Sequence, residues 1–182
     1  MNVERKSINI LRSGQCQAPF AFYVEKDATS HPEPPRGTFP AKCDPKGRVT
    51  LARPIITYLE ELGEKRVYIT TFNLLTARVY PLSRWRANET FFDNFSDDPQ
   101  AAEDVNFIAQ EFGADSDIDG QGRILFPTEL RRRLGMENQP VWLVHYKGGF
   151  TVYSQQLHEQ RMQRALNRLE EKVDLLTKRG LL

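Results

Sequence analysis

The amino-acid sequence predicts a mainly β fold with short helices, of the α+β class, made of two copies of one small unit. Short strand-like runs bounded by turn residues dominate the chain from residue 36 onward. The same order of strand-like and helix-like segments recurs about 75 positions later. At 182 residues, 40% of them hydrophobic, the chain is long enough for one ordinary domain or two small ones.

Residues 1–34 precede the first unit and carry no clear hydrophobic period. They run into a proline-rich stretch at 31–35, which is typical of an extended linker. We therefore expect a poorly ordered N-terminal arm, or residues encoded upstream of the natural start codon. The apolar run at 18–24 is too short and too aromatic for a signal peptide core, and no run reaches the roughly 18 apolar residues of a membrane helix. The expected location is the cytoplasm, with no membrane partner.

The first unit, over residues 35–86, contains an Asp-Pro-Lys-Gly-Arg turn between two β-forming runs. Pro54 and a short amphipathic segment at 55–62 follow, and Gly63 ends that segment as a helix C terminus prefers. Strand-like runs at 67–70 and 77–80 complete the unit.

The second unit, over residues 114–156, repeats this order with an Asp-Gly-Gln-Gly-Arg turn. Pro127 and an amphipathic segment at 128–134 follow, and Gly135 ends it. Strand-like runs at 141–144 and 150–153 match those of the first unit. The recurrence therefore covers every element of the unit.

Two further segments are predicted to be helical. Residues 87–113 form an acidic linker of one or two helices, interrupted by Ser-Asp-Asp-Pro at 96–99. Residues 157–182 form a C-terminal helix, whose apolar stripe is expected to pack on its own unit or on a neighbouring subunit. The stripe consists of Leu166, Leu169, Val173 and Leu176.

The repeated Asp-x-x-Gly-Arg turn has a local physical explanation. Its aspartate can accept hydrogen bonds from backbone N–H groups two or more residues later, and its glycine can adopt a positive φ. A turn held in this way orients the arginine, whose guanidinium suits a phosphate or the edge of guanine. The alternative is an Asp–Arg ion pair that only staples the turn. The turn residues are Asp44, Gly47 and Arg48 in the first unit and Asp119, Gly122 and Arg123 in the second.

The net charge of +1 hides a segregation of charge along the chain. Residues 36–86 contain 10 Lys/Arg and 4 Asp/Glu. Residues 87–119 contain no Lys/Arg and 10 Asp/Glu, and residues 120–182 contain 11 Lys/Arg and 6 Asp/Glu. Two basic blocks thus flank an acidic linker. A local positive field of this kind favours phosphate binding, although solvated surface charge explains it equally well.

The first turn is the better candidate for DNA contact. Lys42 and Lys46 of the first unit correspond to Asp117 and Gln121 of the second. Both units thus have the residues that build the turn, but only the first has these lysines, which suit contact with phosphate. The predicted DNA-binding residues are Lys42, Lys46, Arg48 and Arg53, and we expect both arginines to lie beside the first turn. The arginines at 131–133 are instead expected to form a solvated helix face or a subunit contact.

Catalysis and metal binding find no support in the sequence. Phosphate-binding glycine loops, nucleophile elbows and metalloprotease helices are absent, and His31, His145 and His158 lie far apart. Cys16 and Cys43 lack the paired spacing of a zinc site or a disulfide framework. We expect no enzyme, no cofactor, no metal and no small-molecule substrate.

Two Asp-x-x-Gly-Arg units in one chain resemble the MraZ family of bacterial transcriptional regulators. The resemblance runs from about residue 35 to residue 155. It includes the opening Arg-Gly-Thr-Phe at 36–39, the first turn with its following strand at 44–51, and Val-Tyr-Pro-Leu-Ser-Arg-Trp at 79–85.

The resemblance implies two AbrB-like half units that swap hairpins into one double-psi-like barrel and assemble into a homo-oligomeric ring. It also implies autoregulatory binding to G-rich direct repeats in double-stranded promoter DNA, upstream of the division and cell-wall gene cluster, and so a nucleoid-associated protein. An antitoxin-like or other interaction module of the same fold, without operator reading, is the alternative.

Overall fold

Two copies of one strand and helix order make up the described part of the chain, residues 32–182 of a computed structural model. All but the last three residues of the expected N-terminal arm lie outside this part. The strands are β1 (Thr38–Lys42), β2 (Arg48–Thr50), β3 (Arg66–Thr70), β4 (Ala77–Pro81), β5 (Ala114–Asp117), β6 (Arg123–Leu125), β7 (Pro140–Tyr146) and β8 (Gly149–Ser154). The helices are α1 (Arg53–Glu61), α2 (Leu82–Asn94), α3 (Pro99–Glu111), α4 (Thr128–Arg133), α5 (Gln155–Leu166) and α6 (Leu169–Thr177). The predicted α+β class is confirmed.

The two repeats exchange strands within one antiparallel sheet. Its six strands follow the order β1-β7-β8-β4-β3-β5, which is unchanged when the two repeats are interchanged. The first strand of each repeat pairs with the other repeat, β1 with β7 and β5 with β3. Because β1 and β5 are the two edges of this open order, the closed barrel stays a prediction.

A separate two-stranded ribbon joins the repeats a second time. Its strands β2 and β6 run antiparallel, with Arg48 opposite Leu125, Val49 opposite Ile124 and Thr50 opposite Arg123. Each strand of the ribbon directly follows one of the two Asp-x-x-Gly-Arg turns. The antiparallel register therefore places the two turns at opposite ends of the ribbon.

The core lies between one face of the sheet and a layer formed by the ribbon, α1 and α4. Side chains alternate along each strand, so Ala77 and Val79 of β4 point into the core while Arg78 and Tyr80 lie on the outer face. The largest fully buried side chains of the core include Ile55, Leu59, Ile69, Ile124, Phe126, Leu130, Met136, Leu143 and Phe150.

The helix that follows each repeat covers part of the outer face of the sheet. Trp85 of α2 stacks on Tyr68 of β3, with ring centroids 4.1 Å apart. His158 of α5 stacks on Trp142 of β7 at 4.2 Å in the corresponding place. The two aromatic stacks anchor their helices at opposite ends of the sheet, and the middle of the outer face lies between them.

The two short helices end at glycines, as the sequence predicts. Gly63 and Gly135 follow α1 and α4 with φ values of +72° and +62°. The N–H of Gly63 donates to the carbonyl of Glu60, and the next N–H, of Glu64, donates to the carbonyl of Leu59. These bonds satisfy carbonyl groups that the helix end leaves free.

The C-terminal segment corrects the prediction of one helix over 157–182. It contains α5 and α6, separated at Arg168, which has a φ of +55°. The side chain of Arg168 is bound to Glu171 on the first turn of α6, and the Lys172 ammonium donates to carbonyls at the end of α5. Since every residue from 159 to 182 is exposed, no tertiary packing holds the two helices in line. None of the helices within residues 32–182 is long and apolar enough to cross a membrane.

Candidate nucleic-acid interface

The first turn is held by one carboxylate. Oδ1 of Asp44 accepts hydrogen bonds from the backbone N–H groups of Lys46 and Arg48, both at 2.8 Å. Oδ2 accepts from Nε of Arg48 at 2.7 Å, and Nη2 of the same arginine lies 2.7 Å away. Gly47 takes a φ of +85°, which a residue with a Cβ adopts only at a steric cost.

The second turn repeats this arrangement residue by residue. Oδ1 of Asp119 accepts from the N–H groups of Gln121 and Arg123 at 2.9 Å, and Oδ2 accepts from Nε of Arg123 at 2.7 Å. Gly122 has a φ of +71°. The ion pair that the sequence suggested as an alternative role for the arginine is therefore present in both turns.

These hydrogen bonds keep both carboxyl groups ionised. The backbone N–H of Arg48 is the largest cause that lowers the pKa of Asp44, and the arginine side chain adds to it. For Asp119 the Arg123 side chain is the largest cause, and the pKa falls to about 2. At neutral pH each turn thus contains a carboxylate that anchors a guanidinium.

The two arginines remain partly accessible. The exposed fraction of the side chain is 35% for Arg48 and 26% for Arg123. Contacts with the aspartates use Nε and Nη2, and within the described residues Nη1 of neither arginine donates a hydrogen bond. Each staple therefore leaves one edge of an oriented guanidinium free for a ligand.

Backbone hydrogen bonds tie each turn to the opposite repeat. The carbonyl of Gly47 accepts from the N–H of Phe126 at 2.9 Å, and the carbonyl of Gly122 accepts from the N–H of Leu51 at 2.9 Å. Phe126 leads into α4 and Leu51 leads into α1. Hence α4 of the second repeat begins next to the first turn.

Arg131 of α4 lies against the first turn, which the sequence analysis missed. Its Nη1 donates to the carbonyl of Phe126 at 3.0 Å and its Nε to Glu137 at 2.9 Å, with 13% of the side chain exposed. A Cβ built on Gly47 would lie 2.4 Å from the same Nη1. Arg131 thus packs against the first turn and supports it, whereas Arg132 and Arg133 are exposed. The sequence does not reveal this contact, because Gly47 and Arg131 are more than eighty positions apart and come together only through the pairing of β2 with β6.

The structure brings together three of the four predicted DNA-binding residues. Lys42 ends β1 two positions before the turn, and Lys46 lies at its tip; both are exposed. Arg53 instead begins α1 beyond Leu51, at the end of the ribbon where the second turn lies. It also forms an exposed ion pair with Glu60 at 3.5 Å. The expectation that Arg53 lies beside the first turn is corrected by the antiparallel register of the ribbon.

The surroundings of the second turn contain charges of both signs. Asp117 ends β5 two positions before this turn, where the first repeat has a lysine. Arg66 lies 3.0 Å from Asp117 and 3.1 Å from Asp115, so both carboxylates are engaged within the fold. Lys65 also lies beside this turn, because its carbonyl accepts from the N–H of Ile118 at 3.0 Å. The second turn is therefore surrounded by charges of both signs, whereas Lys42 and Lys46 flank the first turn. No cluster of three or more His, Cys, Asp or Glu side chains suited to a metal occurs in residues 32–182.

Three bacterial proteins named "Transcriptional regulator MraZ" are similar to this chain, although no family model matches it. The proteins of Koribacter versatilis and Acidobacterium capsulatum are each 28% identical, over 97 and 96 residues, which is 53% of this chain. The chain spans 66% of the length of each of these two relatives, just under two thirds. The protein of Shewanella baltica is 26% identical over 125 residues, which is 66% of this chain and 80% of that relative. These similarities confirm the resemblance to the MraZ family, at a distant level of identity.

Proposed function

We propose that the chain is a non-enzymatic, sequence-specific transcription regulator that contacts double-stranded DNA through its first turn. The observation that carries the proposal is the grouping of Lys42, Lys46 and a stapled Arg48 at one end of the ribbon. The name of the similar proteins supports the regulatory role.

The first turn suits this task because its arginine is already ordered. The ion pair with Asp44 fixes the guanidinium before DNA arrives, so less side-chain entropy is lost on binding. Lys46 supplies a mobile charge at the tip of the turn, which suits a phosphate. Arg48 then supplies the oriented donor that a base edge requires.

The second turn serves as a structural staple. Asp117 and Gln121 replace the lysines there, and Arg66 pairs with Asp117, so the attraction for a phosphate is weaker than at the first turn. A single DNA-contacting turn in each subunit gives weak binding to DNA by itself. Several subunits must therefore engage the DNA together, which fits direct repeats and a homo-oligomeric ring.

An exposed apolar stripe on the C-terminal helices supports self-association. Leu166, Leu169, Val173 and Leu176 are each more than 40% exposed. Exposed apolar side chains on two solvated helices are suited to bury their surface against another subunit. We propose the ring as the assembly in which this happens.

The finer proposals follow from the family resemblance. The regulator binds G-rich direct repeats upstream of the division and cell-wall gene cluster, controls its own expression, and so works on the nucleoid in the cytoplasm. Its units are the AbrB-like repeats 35–86 and 114–156, which close into a swapped-hairpin barrel. The acidic linker 87–113 and the C-terminal segment 157–182 take no part in base reading.

Fluorescence anisotropy with DNA from the chain's own upstream region tests the proposal. We expect a preference over shuffled DNA that weakens with salt, because phosphate contacts release counterions. Lys46→Gln should lower the slope of log affinity against log salt concentration by about 1. Lys178→Gln removes the same charge from the C-terminal segment and should leave the slope unchanged.

Arg48→Lys tests base reading separately from charge, because it keeps the charge and loses the planar donor edge. We expect this variant to stay assembled and to lose its preference for the upstream DNA. Equal binding of upstream and shuffled DNA by the wild-type chain, at every salt concentration, would contradict the proposal and favour an antitoxin-like interaction module.

A further inference from the structure

The middle of the outer sheet face contains a cavity that the DNA proposal does not use. Its volume is about 630 Å³, and it lies over the central strands β4, β8 and β7 beside α5. The ribbon and its turns pack on the other face of the sheet. This cavity is thus a separate feature of the fold, of a size that suits a small organic ligand.

Arg78 lies at the base of the cavity, and only 9% of it is exposed. It pairs with Thr151 where β4 meets β8, at the centre of the sheet. Its guanidinium donates to three neutral oxygens: the hydroxyl of Tyr80 at 3.1 Å, the hydroxyl of Thr151, and the carbonyl of Tyr146 at 3.0 Å.

Within residues 32–182 no carboxylate lies within ion-pair distance of Arg78, unlike the arginines of the two turns. A buried charge is costly unless an opposite charge compensates it. Neutral oxygens hold the guanidinium in place, and the rings of Tyr80 and Tyr146 lie 5.3 and 5.2 Å from it, but no anion neutralises its positive charge. The sheet therefore maintains a fixed cation at the base of an open cavity.

The rest of the cavity lining adds positive charge and apolar surface. Arg161 and Arg164 of α5 line its rim, and among the described residues no Asp or Glu does. Tyr146, Tyr153 and Leu157 supply flat or apolar walls. Arg161 lies over the ring of Tyr153 at 5.6 Å, which keeps it close to the cavity.

We propose that this cavity binds a small organic anion, with its phosphate or carboxylate group directed to Arg78 and its apolar body against the tyrosines. The anion supplies the charge that Arg78 lacks, and Arg161 and Arg164 close over it. An oriented guanidinium with two further arginines is the donor set that oxyanions prefer in proteins. The site is independent of DNA binding and of the proposed function.

Isothermal titration calorimetry with phenyl phosphate at constant ionic strength tests the site in the full-length chain without DNA. We expect saturable binding with a dissociation constant below about 1 mM. Benzoate distinguishes a carboxylate from a phosphate ligand, and inorganic phosphate shows whether the apolar body contributes. Arg161→Gln combined with Arg164→Gln should weaken phenyl phosphate binding at least about fivefold, since both residues are exposed and their loss spares the core.

The matched control is Lys178→Gln combined with Arg179→Gln, which removes two charges from the same C-terminal segment away from the cavity. It should change the affinity less than about twofold. Arg78→Gln should abolish binding, and circular dichroism shows whether that variant folds. Equal weakening by the rim and control variants, or no saturable binding by the wild-type chain, would overturn the proposal.

A carboxylate from a second copy of the chain is the competing occupant. It predicts that the rim variant lowers the oligomeric mass in light scattering while phenyl phosphate fails to bind the wild-type chain. That result would also overturn the small-anion site. A failure of the proposed function would be seen only in the DNA measurements.

Discussion

The carbonyl of Gly47 accepts a hydrogen bond from the N–H of Phe126 at 2.9 Å, which joins the first turn to the strand end of the other repeat. Gly122 and Leu51 make the equivalent bond at the other end of the ribbon. The two turns are therefore joints between the repeats as well as local loops. Changes at their glycines should affect the whole fold.

Gly47→Ala should lower the free energy of unfolding by about 1–2 kcal/mol, because alanine pays a steric cost at positive φ. The added Cβ would also displace Arg131, whose Nη1 lies 2.4 Å from its position. Gly120→Ala is the matched control, since a Cβ there meets nothing within 4 Å. Urea denaturation followed by circular dichroism measures both. Equal stability of the two variants would show that the first turn tolerates a side chain.

The sequence predicted the local features of this site because they depend on residues a few positions apart. The aspartate bonds, the glycine conformations and the helix ends all lie within five-residue windows. The residues alone did not predict the pairing of β1 with β7, because each repeat carries two similar hydrophobic strands and either could accept β1; only the family resemblance implied an exchange between the repeats. The positions of Arg53 and Arg131 depend on the pairing of β2 with β6 in the ribbon, which also joins the two repeats. For the same reason the sequence could not place Arg78 at the centre of the outer face.

Arg131→Met should lower the free energy of unfolding by about 1–2 kcal/mol, because the loss leaves the Phe126 carbonyl without its charged donor. Methionine keeps much of the apolar length of the side chain, so the packing loss is small. Arg133→Met, two positions on and exposed, should change the stability by less than about 0.5 kcal/mol. The urea concentrations at the unfolding midpoints of the two variants measure this difference in stability. Equal losses would mean that Arg131 does not support the turn.

Asp119 should make folding sensitive to acid. Its pKa is about 2 in the folded protein, whereas the ordinary pKa of 3.8 applies in the unfolded chain. As pH falls, the unfolded chain therefore takes up the proton first. The stability that it contributes is therefore complete above pH 4 and is lost as pH falls from about 3.8 to about 2.

Asp119→Asn should be less stable than the wild-type chain at pH 7, and the difference should shrink as pH falls from about 3.8 toward about 2. Thermal unfolding between pH 7 and 2 measures it, and NMR titration of the carboxyl group gives the pKa directly. Asp93→Asn, at an exposed position of α2, is the control and should show no such trend. A constant difference across the whole pH range would exclude a role for ionised Asp119.

Cys43 should resist thiol reagents in the folded protein. Its side chain has no exposed surface, and burial raises the pKa of the thiol from 9.0 to about 11, against a smaller lowering by Arg131. The reactive thiolate is thus about a hundredfold rarer than in an ordinary thiol at the same pH, before access is considered. In a Cys16→Ser variant, reaction with 5,5′-dithiobis(2-nitrobenzoic acid) at pH 8 should be at least about a hundredfold slower in buffer than in urea. Labelling at the same rate in both would place Cys43 at an accessible surface and contradict its position in the core between the sheet and the ribbon.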